Sequence, residues 1–513
     1  MSRDNLIAFV LFIIATVGFF MWGYQYIPSH NFLLFSVASI FGIFMAFNIG
    51  GNDIANSFGT SVGAKTITIK QALIIAAIFE LSGAIFAGGE VTDTIRKGIV
   101  KIPAENFDPM LFVLVMMSSL LSAGLWLLYA SKKGLPVSTT HSIIGGIVGA
   151  SMAMGFVITT GDNVMAMVNW GKIGQIVLSW VISPLLGGMV SYAIYFYIKN
   201  NILLPSKIAV SKQSSAKKKR KAYKEAYKIA MKDKTEEEQL KELSQLAFAD
   251  EDEELENPSD YYEKIKDLKR EEKDIDTFAF LKKHVPLVGA FAASIISGML
   301  LFKGLKHLKI NISSIETIWI IFVIATAAYL ITLAIVNIMV KNHVDKSTLR
   351  VFSWMQIFTA SAFAFSHGAN DIANAIGPFA AILDVLKTGE INAQATIPAI
   401  AMITFGVALI VGLWFLGKEV IQTVGTRLAE ISPVTGFAAE LGASAVILLA
   451  TKMGIPVSST HILIGAVLGI GLLNKDANWK LMKPIALAWI VTLPVAAISS
   501  AIFFFILRAI MGL

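Results

Sequence analysis

Apolar residues run through this chain in long blocks and rarely alternate with polar ones. Blocks near residues 6–23, 32–50, 71–89, 110–130, 137–158, 173–199, 286–303, 316–340, 351–367, 397–416, 435–451, 457–473 and 484–508 carry few charges. Most approach or exceed about 18 residues, the length at which a helix crosses the hydrocarbon core of a bilayer. The pattern predicts an all-α polytopic membrane protein with about 12 transmembrane segments. Several blocks are short or interrupted by Gly and Pro. Such breaks are tolerated in a membrane where the freed backbone faces protein or a polar cavity, so these blocks read as re-entrant or broken helices. The first block superficially resembles a signal peptide. The residues after it, Gly23, Tyr24, Gln25 and Tyr26, offer no small-x-small cleavage site, and the block reads as a retained span.

Between Pro205 and His284 the pattern stops. Lys217 to Lys221 is a basic cluster, and Glu236 to Glu238 and Asp250 to Glu254 are acidic runs. Few aromatic or branched residues accompany them, so this stretch is expected to be a hydrophilic loop, partly helical at most and open to disorder. The chain then divides into an extra N-terminal segment (1–31), a first membrane repeat (32–205), the loop (206–284), connecting spans (285–350) and a second membrane repeat (351–513). Lys and Arg gather on the cytoplasmic side of membrane proteins, so the basic cluster puts the loop there and, by counting crossings, the N-terminus too. Lys132, Lys133, Lys341, Arg350 and Lys418 agree with that orientation, whereas Arg96, Lys101, Lys172 and Lys387 do not.

The division into repeats rests on two polar motifs inside the apolar halves. Gly50 to Ser57 reads G-G-N-D-I-A-N-S and is answered by G-A-N-D-I-A-N-A at Gly368 to Ala375. Gly134 to His141 reads G-L-P-V-S-T-T-H and is answered by G-I-P-V-S-S-T-H at Gly454 to His461. Seven crossings separate the spans that carry Asp53 and Asp371, counting the blocks above. An odd number inverts one half relative to the other, as in secondary transporters whose substrate binds where the halves meet.

Asn52, Asp53 and Asn56, with Asn370, Asp371 and Asn374, offer carboxylate and amide oxygens, which are hard ligands suited to alkali or alkaline-earth cations. A carboxylate inside a membrane span is costly enough to point to function. Pro followed by Ser and Thr suits the start of a helix, whose free N–H groups favour an anion. Ser138, Thr139 and Thr140 make one such cradle, and Ser458, Ser459 and Thr460 a second; simple helix capping is the structural alternative. His141 and His461 suit either proton relay or loop fixing, and with no clustered third ligand no transition-metal site is expected. Glu80 and Glu440 are further intramembrane carboxylates that the repeat does not relate to each other.

Charge limits the mechanism. No Lys or Arg lies in the motifs, and Lys65 is the candidate nearest the first N-D motif. An anion beside uncompensated carboxylates in low dielectric would be repelled. Cations must therefore enter with it, or the carboxylates must be protonated. The composition adds exclusions. The 513 residues are 55% hydrophobic and 15% charged, and the net charge of +7 belongs to membrane loops rather than to nucleic-acid binding. With no cysteine, disulfides and thiol chemistry are excluded.

On the paired G-[GA]-N-D-I-A-N and P-V-S-[ST]-T-H motifs the chain resembles the inorganic phosphate transporter (PiT) family, which includes eukaryotic sodium–phosphate symporters and bacterial phosphate permeases. The resemblance covers the membrane portion and not the loop near 206–284. It implies inverted repeats, a central phosphate site held by Ser138, Thr139, Thr140, Ser458, Ser459 and Thr460, and cation sites at Asp53, Asn56, Asp371 and Asn374. It also implies coupling roles for Glu80 and Glu440, whose F-E-L-S-G and A-E-L-G contexts match the sodium-coupled branch. Gly51 stands where Ala is commoner. The expectation is a plasma-membrane symporter, not an enzyme, importing inorganic phosphate with sodium as co-transported ion and no cofactor, and compatible with a homodimer. Proton coupling, sulfate as substrate, a membrane phosphohydrolase using Asp53, His141 and Ser138, and a passive anion channel are the alternatives.

Overall fold

The computed structural model describes all residues except 1–2, 103–107, 160, 162, 248–259, 302–312, 341–342, 393–396 and 424–429, together with the side chains of a few further positions. In chain order the described helices are α1 (Arg3–Tyr26), α2 (Phe32–Ile49), α3 (Ala55–Gly63), α4 (Ile69–Ala87), α5 (Gly89–Lys97), α6 (Pro109–Lys132), α7 (Thr139–Ile158), α8 (Trp170–Ile198), α9 (Leu204–Lys232), α10 (Glu236–Ala247), α11 (Asp260–Lys273), α12 (Ala279–Met299), α13 (Ser314–Met339), α14 (Val344–Asp371), α15 (Ala373–Thr388), α16 (Ala399–Gln422), α17 (Pro433–Lys452), α18 (Ser459–Asn474) and α19 (Trp479–Met511). Among the described residues the only strand-like contact is an isolated bridge between Val100 and Val168. Among the described residues, eleven helical stretches are long and apolar enough to span a membrane, and α18 is a shorter apolar helix.

The chain forms two compact units. The first holds residues 1–196, 290–327 and 349–513, and with them both copies of both motifs. Two helical hairpins organise it. α6 turns into α7, and α17 turns into α18, each through a six-residue connection carrying the P-V-S motif. Each turn begins with a glycine in the left-handed region, Gly134 and Gly454, both at φ 63°. The N–H of Leu135 bonds the Ala130 carbonyl and that of Ile455 bonds the Ala450 carbonyl, closing the same helix-ending motif twice. Ser138 and Ser458 then cap the next helices by accepting from the N–H of His141 and His461.

Helix packing in this unit depends on close backbone approach. A Cβ on Gly50 would lie 1.7 Å from the Leu409 carbonyl oxygen, and one on Gly412 would lie 1.7 Å from that of Phe47. The other half repeats this contact between Gly368 and the Glu80 carbonyl, and between Gly83 and that of Phe365. Thus α16 of the second half packs on α2, while α4 of the first packs on α14. The N-terminal helix α1 joins the same unit. Phe19 packs against Phe35, Phe379 and Phe405 at ring separations of 5.6, 5.7 and 6.3 Å, and Trp414 Nε1 donates to Asn5 Oδ1.

The second unit comprises residues 197–289 and 328–348. Here the expectation of a loose loop is corrected: α9, α10 and α11 occupy most of its described residues. α9 and α11 pair through a face on which Ala209, Ala216, Ile265 and Leu268 are buried. Tyr227 stacks on Tyr261 with ring centroids 3.6 Å apart, and Arg220 pairs with Glu272 at 3.2 Å. Local charge masked an amphipathic pattern of small and aromatic residues. The acidic run Asp250 to Glu254 lies outside the described residues.

Candidate functional site

Both N-D motifs sit where a helix breaks. The stretch Gly50–Ile54 is a single π-type turn between α2 and α3, a local unwinding that frees backbone groups and often marks functional sites. α14 ends at Asp371, and α15 begins two residues later.

The asparagines after the glycines hold the hairpin turns. Asn52 Nδ2 donates to Ser131 Oγ (3.1 Å) and the Leu135 carbonyl (3.0 Å), and its Oδ1 accepts from the Val137 N–H (3.1 Å). Asn370 does the same with Thr451 Oγ1 (3.0 Å), the Ile455 carbonyl (3.3 Å) and the Val457 N–H (3.2 Å). Each amide therefore has a structural task besides any cation it meets.

The aspartates join the two hairpin tips. Asp53 accepts hydroxyls from Thr139 of its own half and from Thr460 of the other, the latter at 2.6 Å. Asp371 lies 3.3 Å from the Thr140 hydroxyl of the other half and is approached by Ser459 of its own. The tips also cross-bond directly: Thr140 Oγ1 is 2.9 Å from the Val457 carbonyl, and Thr460 Oγ1 is 3.3 Å from that of Val137. Asn374 Nδ2 donates to Thr139 and Thr140, both at 3.2 Å. The side chain of Asn56 lies outside the described residues. Every other predicted residue of the two motif pairs is buried. The hydroxyls thus fall into two kinds: Ser138 and Ser458 cap helices, whereas Thr139, Thr140, Ser459 and Thr460 line the junction of the two helix N-termini.

Lys65 is exposed, so it supplies no counter-charge to this junction. The basic group that does reach it is His367, which the motif analysis left out. Its Nδ1 is 2.7 Å from Glu80 Oε2, and its Nε2 is 3.1 Å from Asp371 Oδ2. Ligand atoms of Asp53, His367 and Asp371 lie within 4.8 Å of one another. From the sequence only His141 and His461 were weighed as histidine ligands, and His367 was overlooked. A signal was present: His367 is four residues before Asp371, which puts both on one helical face.

Glu440 has its own oxygen-rich setting. Oε1 accepts from Thr60 (2.7 Å), Gln356 Nε2 (3.1 Å) and Ser61, and Oε2 accepts from Thr359 (2.7 Å). Thr60 and Ser61 come from α3, just beyond the first N-D motif. So Glu80 and Glu440 differ in kind: one is paired with an imidazole, the other ringed by hydroxyls.

Comparisons with known proteins place the chain in a family. Residues 49–500 match the phosphate transporter family. A protein of Mycobacterium bovis named as a phosphate permease is 51% identical, over 96% of this chain and 91% of its own. The inorganic phosphate transporter 2-1, chloroplastic, of Arabidopsis thaliana is 32% identical, over 94% of this chain and 73% of its own. A solved structure titled as the sodium-dependent phosphate transporter superposes with a TM-score of 0.71 at 30% identity, covering 93% of this chain and all of that one.

Proposed function

The chain belongs to the phosphate transporter family, and from that premise we propose that it imports inorganic phosphate by symport with a cation, sodium before protons, through alternating access. The observation that carries this reading is the reciprocal bridging of Asp53 and Asp371 by hydroxyls from both P-V-S hairpin tips. Two helix N-termini converge on a point where two carboxylates stand. The N-termini favour an anion and the carboxylates oppose it. A cation bound to Asp53, Asp371 and Asn374 removes the repulsion and releases Thr139, Thr140 and Thr460 to turn toward phosphate. His367, even when charged, offsets one of the three carboxylates Asp53, Asp371 and Glu80, which leaves the need for a cation in place. Asn52 and Asn370 act in this reading through the turns they hold. Glu80 acts by fixing His367 against Asp371, and Glu440 with Thr60, Ser61 and Thr359 makes a separate oxygen cage for a coupling cation.

The two halves serve as inverted repeats that expose the junction alternately to each side. The reciprocal contacts support that symmetry. The reading assigns the chain to the plasma membrane, with residues 206–284 cytoplasmic as the cluster Lys217 to Lys221 favours.

Uptake of radiolabelled phosphate into proteoliposomes tests it. An inward sodium gradient is expected to drive accumulation, with sulfate a poor competitor. Uptake indifferent to both sodium and proton gradients would overturn the coupling, and conductance without accumulation would make the protein a channel.

A further inference from the structure

Beyond the motifs, two tryptophans cross between the halves. Trp180 on α8 lies against His141, with ring centroids 3.7 Å apart, and its Nε1 donates to the carbonyl of Pro456 at 3.3 Å. Trp489 on α19 stacks on His461 at 3.7 Å, and its Nε1 donates to the carbonyl of Pro136 at 3.3 Å. Each indole thus packs on the histidine of one motif and bonds the turn of the other. The two imidazoles meet edge to face, with centroids 4.5 Å apart and ring planes at 85°. Trp180, His141, His461 and Trp489 form a continuous ring stack behind the hairpin tips. Aromatic rings are stiff and offer large contact area, so such a stack sets a distance rather than merely filling space.

We propose that Trp180 and Trp489 are positioning and specificity-determining residues that fix the separation of the two helix N-termini, and with it the size of tetrahedral oxyanion the junction accepts. The inference rests on the phosphate reading above. Pro136 and Pro456 lie two residues before the capping serines, so a shift of either carbonyl moves a helix start and the Thr139, Thr140 and Thr460 hydroxyls with it. The same four rings also form part of the wall of a cavity of about 1050 Å3, together with Val181, Leu185 and Met189. Truncation to Ala would enlarge that cavity, so Phe, which keeps a ring and removes the N–H, is the informative substitution.

The test uses the full-length protein in proteoliposomes. Trp180→Phe and Trp489→Phe are each expected to raise the KM for phosphate by about tenfold, with kcat within a few-fold of wild type. That is the loss expected when a buried carbonyl is left unpaired. The larger anion arsenate should gain relative to phosphate in both variants, a change of ratio that loss of folded protein does not produce. The double variant should fall short of the product of the singles, because both act on one distance. KM and arsenate preference within twofold of wild type in both single variants would overturn the inference while leaving transport intact; absence of phosphate uptake by the wild type would overturn the functional reading first. Should the Phe variants not be recovered folded, wild-type protein labelled with fluorotryptophan carries the test. Phosphate with sodium is expected to shift tryptophan resonances, and no shift in any of them would overturn the proposal.

Discussion

His367 shows how much one side chain can change a charge argument. Glu80 and Asp371 are on different helices, and the imidazole lies between them, hydrogen-bonded to Glu80 and 3.1 Å from Asp371. Glu80→Gln and His367→Gln should each slow phosphate uptake by roughly 10- to 100-fold, and the double variant should be little worse than either single, since removing one member already breaks the relay of contacts. Fully additive losses in initial uptake rates would separate the two residues. Glu440 belongs to a different cluster and should behave differently. Glu440→Gln keeps the shape of the side chain and removes the charge that four donors surround. It is expected to raise the sodium concentration for half-maximal uptake several-fold while changing the KM for phosphate at saturating sodium by less. A phosphate KM defect independent of sodium would refute that separation. The sequence alone pointed to the aspartates and hydroxyl residues of this site because they recur in motifs, and to Glu80 and Glu440 because they are carboxylates inside apolar spans. His367, Trp180 and Trp489 were not legible in the same way. His367 has Ile49 at the matching position of the first half, so a search for repeats passes over it. The tryptophans sit within ordinary apolar spans, and only tertiary packing brings them to the turns.

At the level of elements, the hairpin turns are the parts most fully specified by local sequence. Gly134 and Gly454 take a backbone conformation that costs other residues roughly 1–2 kcal/mol. Gly134→Ala and Gly454→Ala should each destabilise the protein by about that amount, lowering the midpoint of thermal unfolding by a few degrees. An unchanged midpoint would mean that the turns relax. Gly50→Ala and Gly368→Ala should be far worse, because the added carbon would overlap a carbonyl on the facing helix and no rotamer avoids it. Apolar block lengths located the long membrane helices but cut the start of α14 short and missed α3, α5 and α15. They failed in residues 206–284, where charge density suggested an open loop although small and aromatic residues recur at a spacing that pairs α9 with α11. Composition measures solvation; periodicity measures packing, and there the second was the better guide.

For the whole molecule, the proposed function makes ion and anion binding at the junction interdependent. Phosphate alone meets carboxylates, and a cation alone leaves two helix N-termini without an anion. Sodium and phosphate together are therefore expected to raise the unfolding temperature by more than the sum of their separate effects, with phosphate ineffective in choline buffer. Saturation at a hundredfold excess over Kd would correspond to about 2.7 kcal/mol. Equal stabilisation by phosphate with and without sodium would contradict coupled binding. The overall plan was legible as two related halves. That the halves meet at one site was part of that plan; what sequence could not show is the crossed bonding itself, because the bonds from Thr140 to Val457 and from Thr460 to Val137 join residues more than 300 positions apart.

That reciprocity bears on ancestry. A half-length chain could make the paired Thr140–Val457 and Thr460–Val137 contacts with a second copy of itself, so this part of the junction does not need a fused protein to exist. The exceptions need two halves of different sequence. A pair of identical chains carries each residue twice, once on either side. Glu80 facing Gly368 where Leu409 faces Gly50, and His367 where the first half has Ile49, are differences that two identical chains cannot hold. The symmetric cradle is compatible with an origin before gene fusion. The asymmetric placement of the Glu80–His367–Asp371 cluster requires two halves that differ in sequence.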